Sequence, residues 1–266
     1  MLKKALFIGA VMGAVSTHAA ADMYNYIGIS AGQAKAERPS LLTDSRTFIN
    51  HWEAELGMGS ANSVITRADG RISSDGKDSA YKLVFGLQIN PYLAVEAQYA
   101  DFGDSSVDQH SGASWLTAAG MSSPIYTDAD MEESYKLKTS GPGINLVGNI
   151  PVHDRVTLIG KVGYHYLRTK IQQSITTSLV RGELIGGVKN ERVSSTAEGG
   201  KNVTVREWVP SLGVGVDFLL HHDLSIALEY ERYFGVGDGP LENGHGDRGS
   251  FKHDLDFLSL GLRYSF

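Results

Sequence analysis

Ser259-Leu260-Gly261-Leu262-Arg263-Tyr264-Ser265-Phe266 is the stretch whose reading decides the fold. With Leu258 added, Leu260, Leu262, Tyr264 and Phe266 all fall on even positions, and Ser259, Gly261, Arg263 and Ser265 fall between them. An extended chain sends alternate side chains to opposite faces, so this is a strand with an apolar face and a polar face. An exposed terminal Phe266 does little for a soluble protein, whereas a strand ending at a lipid surface gains an anchor from it.

The same alternation recurs upstream. Tyr81, Leu83, Phe85, Leu87 and Ile89 alternate with Lys82, Val84, Gly86 and Gln88, and Asn90-Pro91 then turns the chain. Proline presets its own φ and offers no donor to a ladder, which suits a tight turn. The return strand carries Leu93, Val95, Ala97 and Tyr99 against Ala94, Glu96, Gln98 and Ala100. A second hairpin joins Ile144, Leu146 and Ile150 to Val156, Leu158, Val162, Tyr164 and Tyr166 through a turn at Val152-His153-Asp154-Arg155. A third joins Leu212, Val214, Val216 and Phe218 to Leu224, Ile226, Leu228 and Tyr230 through His221-His222-Asp223. An opening strand at Ile27, Ile29 and Ala31 and the closing stretch bring the expected number to eight.

Before the second hairpin, Tyr135 and Leu137 have odd parity, whereas Ile144 and Leu146 have even parity. Gly141-Pro142-Gly143 lies between them and predicts a β-bulge. The short turns alternate with four long polar segments, residues 33–80, 104–133, 168–205 and 234–253, which read as loops. A short helix is expected at residues 48–56 within the first of them.

The first residues, Met1-Leu2-Lys3-Lys4, precede an apolar run and the small residues Ser16 to Ala21. A basic start, an apolar core and an A-x-A site make a secretory signal peptide, with cleavage after Ala21 and Ala19 as the alternative. The expected organisation is therefore a signal peptide at residues 1–21 and one domain at residues 22–266. The chain has 266 residues, no cysteine and a formal net charge of −6, so disulfides, thiol catalysis and a basic nucleic-acid footprint are all excluded.

Each strand supplies about four or five apolar residues to one face, which suits tilted strands crossing a bilayer. Backbone polar groups in hydrocarbon need protein partners, so such a sheet must close on itself. Tyr99, Tyr166, Trp208 and Tyr230 near the loop side, and Tyr92, Phe218, Tyr264 and Phe266 near the turn side, fit aromatic girdles. A lipocalin-type soluble barrel would also alternate, but with its apolar face inward. The fold expected is all-β, an eight-stranded antiparallel transmembrane β-barrel with short turns at one end and four long loops at the other.

The segments at residues 81–103, 143–169 and 212–233, with the closing strand, resemble the transmembrane domain of OmpA-like outer-membrane proteins. The resemblance covers strands and turns but not the loops, and the sequence stops at the eighth strand, without the family's peptidoglycan-binding domain. The terminal strand resembles the sorting signal of outer-membrane barrels, carried here by Gly261, Tyr264 and Phe266. It implies a cell outer-membrane protein of a Gram-negative bacterium, with periplasmic turns and external loops. Its partners would be outer-membrane lipid and lipopolysaccharide, the barrel-assembly machinery, and host, matrix or phage ligands at the loops, with no nucleic acid. A monomer is expected.

By parity Glu96, Lys161, Glu229 and Arg263 face the barrel interior. A lone buried charge costs several kcal/mol, so these four are expected to pair, with Arg263 as the central cation. Eight strands leave an interior just wide enough for side chains, which makes the network a plug; the family resemblance implies instead a gate whose pairs re-form. No metal or cofactor is expected. His221-His222-Asp223 reads as a solvated corner, and the acidic second loop lacks the ligand spacing of a calcium site. Asn202-Val203-Thr204 matches a glycosylation sequon without meaning in a bacterial export product. A lipid A-modifying enzyme is the remaining class. His51, His110, Asp104, Ser105 and His165 form no local nucleophile–base motif, so no enzyme is expected. The role expected is structural and surface-interactive, with a small gated pore or a hydrophobic-solute conduit as the alternatives.

Overall fold

The computed structural model describes residues 25–37, 50, 53–54, 63–75, 77–118, 124–242, 248–250 and 252–266. The expected signal peptide lies outside the described residues, as does most of the helix expected at residues 48–56; Asn50, Glu53 and Ala54 of that segment are helical. The strands in chain order are β1 (Asn25–Ala36), β2 (Ser63–Asp75), β3 (Lys77–Asn90), β4 (Leu93–Thr117), β5 (Ile125–His153) and β6 (Val156–Ile185). They continue with β7 (Val188–His221), β8 (Leu224–Val236), β9 (Pro240–Glu242), β10 (Arg248–Ser250) and β11 (His253–Ser265).

Eight of these close a ring in the order β1-β3-β4-β5-β6-β7-β8-β11, every neighbouring pair antiparallel. The seam is β1 against β11, with Gly28 opposite Arg263 and Gly32 opposite Ser259. It is tied off where Asn25 N donates to Phe266 O (3.1 Å) and Phe266 N donates to Asn25 O (2.8 Å). Closure leaves no open edge in the hydrocarbon, which is what a spanning sheet requires. The turns fall at Pro91-Tyr92, Asp154-Arg155 and His222-Asp223, as the sequence predicts.

The polar segments are not the loops expected of them. β4, β5, β6 and β7 run on as paired strands through much of residues 104–133 and 168–205, and β6 turns into β7 only at Gly186-Gly187. Within residues 33–80, β2 pairs with the upper part of β4, and the fourth segment contains the small β9–β10 hairpin. At about 3.3 Å per residue a strand of 30 residues such as β6 spans roughly 100 Å, against an apolar band of about 25 Å. A five-stranded sheet, β2-β4-β5-β6-β7, therefore stands well clear of the membrane.

The reason the sequence conceals this is an inversion of polarity along single strands. In the lower part of β6, Leu158, Val162, Tyr164 and Tyr166 point outward and Lys161 and His165 point inward. Above Tyr166 the outward residues become Arg168, Lys170, Gln172 and Ser174, and Ile171 points inward. The direction each position faces never changes; the surroundings do. Lipid outside favours apolar residues there, and water outside returns them to the interior, where Val107, Tyr135, Leu137 and Ile171 form one cluster and Ala113, Trp115, Ala129 and Met131 another.

The parity switch at Gly141-Pro142-Gly143 has the same cause, and the bulge expected there is absent. The β5–β6 register runs unbroken from Ser140↔Arg168 to Gly143↔His165. The bulge sits on the facing strand, between Asp101 and Asp104 of β4, where Gly103 adopts φ 73°. Asp78 supports it from β3, its Oδ2 accepting from Asp104 N at 2.6 Å. Backbone N–H groups of Asp104 and Ser79 hold the Asp78 carboxyl below the usual range.

The boundary is testable on one strand. Val162→Arg puts a cation on the lipid face and is expected to destabilise the barrel by about 2–4 kcal/mol. Gln172→Arg, on the same face of the same strand above the boundary, is expected to change stability by no more than about 0.5 kcal/mol. Urea unfolding in lipid vesicles, followed by the gel shift between heated and unheated samples, measures both.

Candidate functional site in the barrel lumen

The inward positions of the lower barrel bring together Glu96 on β4, Lys161 on β6, Glu229 on β8 and Arg263 on β11. Lys161 Nζ lies 2.6 Å from Glu96 Oε2 and 2.7 Å from Glu229 Oε1. Arg263 Nη2 reaches Glu229 Oε1, and Glu96 Oε1 at 3.3 Å, while Nη1 meets Asp217 Oδ2 at 3.3 Å. Side-chain exposure in this group runs from 0% for Glu96 to 9% for Arg263, so each charge depends on its partners rather than on water.

Three further ionisable residues belong to the same network. Lys82 on β3 donates to Glu229 Oε2 and Glu231 Oε1, both at 2.6 Å. Asp217 on β7 completes the set, so three cations face four carboxylates. Sequence reasoning passed over Lys82 and Glu231 although both share the polar parity of their strands; that shared parity was the available signal. Glu229 is the hub, in contact with Lys82, Lys161 and Arg263. Arg263 holds three carboxylates, one more than its fork alone suggests.

Neutral groups complete the network at both ends. Tyr26 OH donates to Glu96 Oε1 (2.7 Å), and Tyr233 OH donates to Glu231. Gln98 Nε2 donates to Tyr233 OH (2.9 Å), and Asn145 Nδ2 donates to Gln98 Oε1 (2.9 Å). Two glycines make room for rings. A Cβ on Gly86 would overlap the Tyr26 ring, and one on Gly143 would overlap His165.

Apolar layers lie above and below the charges. Toward the turns sit Tyr26, Ala94, Val147 and Ile159. Toward the external end Phe102 packs edge-on against Tyr233 (4.9 Å between centroids) and Phe257 (5.7 Å). A cavity of about 160 Å³ opens at the turn end and reaches Asp217 and Arg263.

The other candidates are dispersed. His165 Nε2 shares a hydrogen bond with Ser211 Oγ (2.8 Å), but both are buried in the lumen, and Nδ1 accepts from the Gln98 amide (3.3 Å) where a triad would place a carboxylate. His110 stands on the extramembrane sheet 3.8–3.9 Å from Asp69, Asp130 and Glu132. Asp104 pairs with Lys138 (3.2 Å). Among the described residues no group of three or more His, Cys, Asp or Glu is arranged to hold a metal ion. His221 and His222 stack edge-on in their turn, and His51 lies outside the described residues. At the seam Gly261 packs against Ser30, and the Tyr264 and Phe266 rings stack at 6.4 Å on the outer face.

Because Glu229 contacts all three cations but each keeps a second carboxylate, Glu229→Gln is expected to cost about 1–3 kcal/mol, below the range of roughly 3–5 kcal/mol for stranding a buried charge. Glu132→Gln on the extramembrane sheet, whose carboxylate is exposed, is expected to change stability by no more than about 0.5 kcal/mol. Urea unfolding monitored by tryptophan fluorescence compares the two.

The family that the sequence matches agrees with this architecture. The family model for the outer membrane protein beta-barrel domain matches residues 5–266. An uncharacterized protein of Coxiella burnetii (strain RSA 493 / Nine Mile phase I) is 23% identical over 190 residues, covering 70% of this chain and 67% of that protein. Among solved structures, Neisserial surface protein A is similar at 11% identity and a TM-score of 0.39, covering 91% of this chain and 97% of that one. OprG of Pseudomonas aeruginosa is similar at 14% identity and a TM-score of 0.39, covering 91% and 96%. The chain belongs to the outer membrane protein β-barrel domain family and folds as an eight-stranded barrel of the cell outer membrane.

Proposed function

We propose that this protein is a surface-interaction protein whose barrel is an anchor rather than a conduit. The observation that carries the reading is the contrast between its two halves. In the membrane, paired charges between two apolar layers fill the lumen. Outside it, a five-stranded sheet with apolar clusters of its own extends the strands far beyond what anchoring needs. The projecting sheet is the part that meets a host, matrix or phage ligand, and the lumen network is structural. The reading contains no catalytic step, and the protein acts as a monomer.

Export accompanies this role. Residues 1–21 are removed, leaving a mature chain of residues 22–266, and the terminal strand with Gly261, Tyr264 and Phe266 is what the barrel-assembly machinery engages. The intact mass of protein extracted from outer membranes is expected to correspond to a chain beginning at Asp22; a mass that retains residues 1–21 refutes the processing.

A small pore is the second reading, favoured by the cavity that reaches Arg263 from the turn end. Planar-bilayer recording of the refolded protein separates the two. Silence is expected from the wild type, while replacing residues 174–200 with an Asn-Gly turn is expected to abolish binding to host cells and leave the gel shift intact. Discrete openings that change on Arg263→Gln would establish the pore and refute the plug.

A further inference from the structure

Residues facing each other across β5, β6 and β7 form rows that run across the strands on the outer wall. The last lipid-type row is Pro142, Tyr166 and Trp208. Trp208 stacks on Tyr164 (5.3 Å between centroids, planes 8° apart) and leans against Tyr166 (5.3 Å), so these rings form a continuous shelf. One row above it Arg168 lies opposite Arg206, and the next row sets Lys138 opposite Lys170. Like charges directly across a strand pair repel and destabilise it.

These cations lack internal compensation. Lys138 is the exception, held 3.2 Å from Asp104, which raises its pKa. Arg168, Lys170 and Arg206 are exposed and form no ion pair with any described residue. The nearest acidic position in their row is Asp101 on β4, with Ser140 intervening. On β8, by contrast, the outward Arg232 is fully engaged, lying 2.7 Å from Glu37, 2.9 Å from Asp254 and 3.5 Å from Asp256. Arg168, Lys170 and Arg206 thus lie together in one sector of the barrel, immediately above its aromatic shelf.

We propose that Arg168, Lys170 and Arg206 form a binding site for the phosphate of an outer-leaflet glycolipid with lipid A chemistry. The guanidinium groups offer paired N–H donors to phosphate oxygens, and an anion between the facing cations turns a repulsion into a bridge. Below the phosphate, the acyl chains lie along Tyr166, Trp208, Val162 and Leu212, all exposed on the outer wall. Aromatic side chains at the membrane interface with basic residues just beyond them match the chemical order of such a lipid, headgroup above and hydrocarbon below. A soluble phosphate would use the cations but not the shelf. The site lies on the wall of the barrel, so it is independent of whatever the projecting sheet binds.

The test is native mass spectrometry of the refolded full chain in detergent micelles titrated with diphosphoryl lipid A. Arg168→Gln/Arg206→Gln is expected to retain about 10-fold less lipid than the wild type, and Arg155→Gln, in a turn at the opposite end, is expected to retain as much. Retention by the wild type is expected to fall when the probe is lipid A lacking both phosphates. Equal retention by the double variant, or displacement by an equimolar amount of inorganic phosphate, overturns the proposal, the second outcome indicating a soluble-anion site. If the double variant lacks the gel shift of a folded barrel, Lys170→Gln is read against the same probe, and undiminished retention again overturns it.

Discussion

A backbone amide in hydrocarbon has no water to turn to, and this protein meets that constraint by pairing its first strand with its last. The seam between β1 and β11 depends on small residues. A side chain at Gly32 would collide with the backbone at Leu258 and Ser259, and one at Gly261 would collide with Ser30. Once the ring is closed, each strand has one face toward lipid and one toward a narrow interior, and the alternation of the sequence follows from that geometry. Asn25, which opens β1, and Phe266, which follows β11, take part in the closure itself through reciprocal hydrogen bonds.

Closing the ring creates a second problem, an interior too narrow for bulk water and lined by ionisable groups. The structure solves it by reciprocity: Glu229 faces all three cations, and Lys161 and Arg263 each reach Glu96 as well as Glu229. Such a network is costly to break and weakly stabilising to make, because desolvation offsets most of the attraction. Its effect is to fix which strands face one another, since β3, β4, β6, β7, β8 and β11 each contribute a charge. The glycines at 86 and 143 admit the Tyr26 and His165 rings on the inner wall.

Above the girdle the same strands obey the opposite rule. Ile171 and Tyr135 turn inward where water replaces lipid, and Arg168, Lys170 and Gln172 take the outer face. The extramembrane sheet consequently has a core of its own, and β7 carries an almost wholly exposed upper half from Val188 to Asn202. Lys189, Glu191, Arg192, Glu198 and Lys201 lie along it, which is how natural sheets keep a free edge from pairing with other chains.

The sequence by itself determined the strands that lipid selects. Apolar and polar residues alternate with one sign in residues 81–99, 156–166, 212–230 and 258–266, so the barrel, its short turns and the inward placement of Glu96, Lys161, Glu229 and Arg263 were all legible. Tertiary structure alone decided how far the strands extend, because beyond the membrane the outward face turns polar and a strand there reads as a loop. It alone also decided that the irregularity near Gly141 lies on β4 at Gly103 rather than on β5. And it alone decided which charges meet: parity states the face a residue points to, but Lys82, Glu231 and Asp217 join the network through the stagger between strands distant in sequence. That stagger is set by closure of the ring, a property of the whole sheet that no single stretch of chain carries.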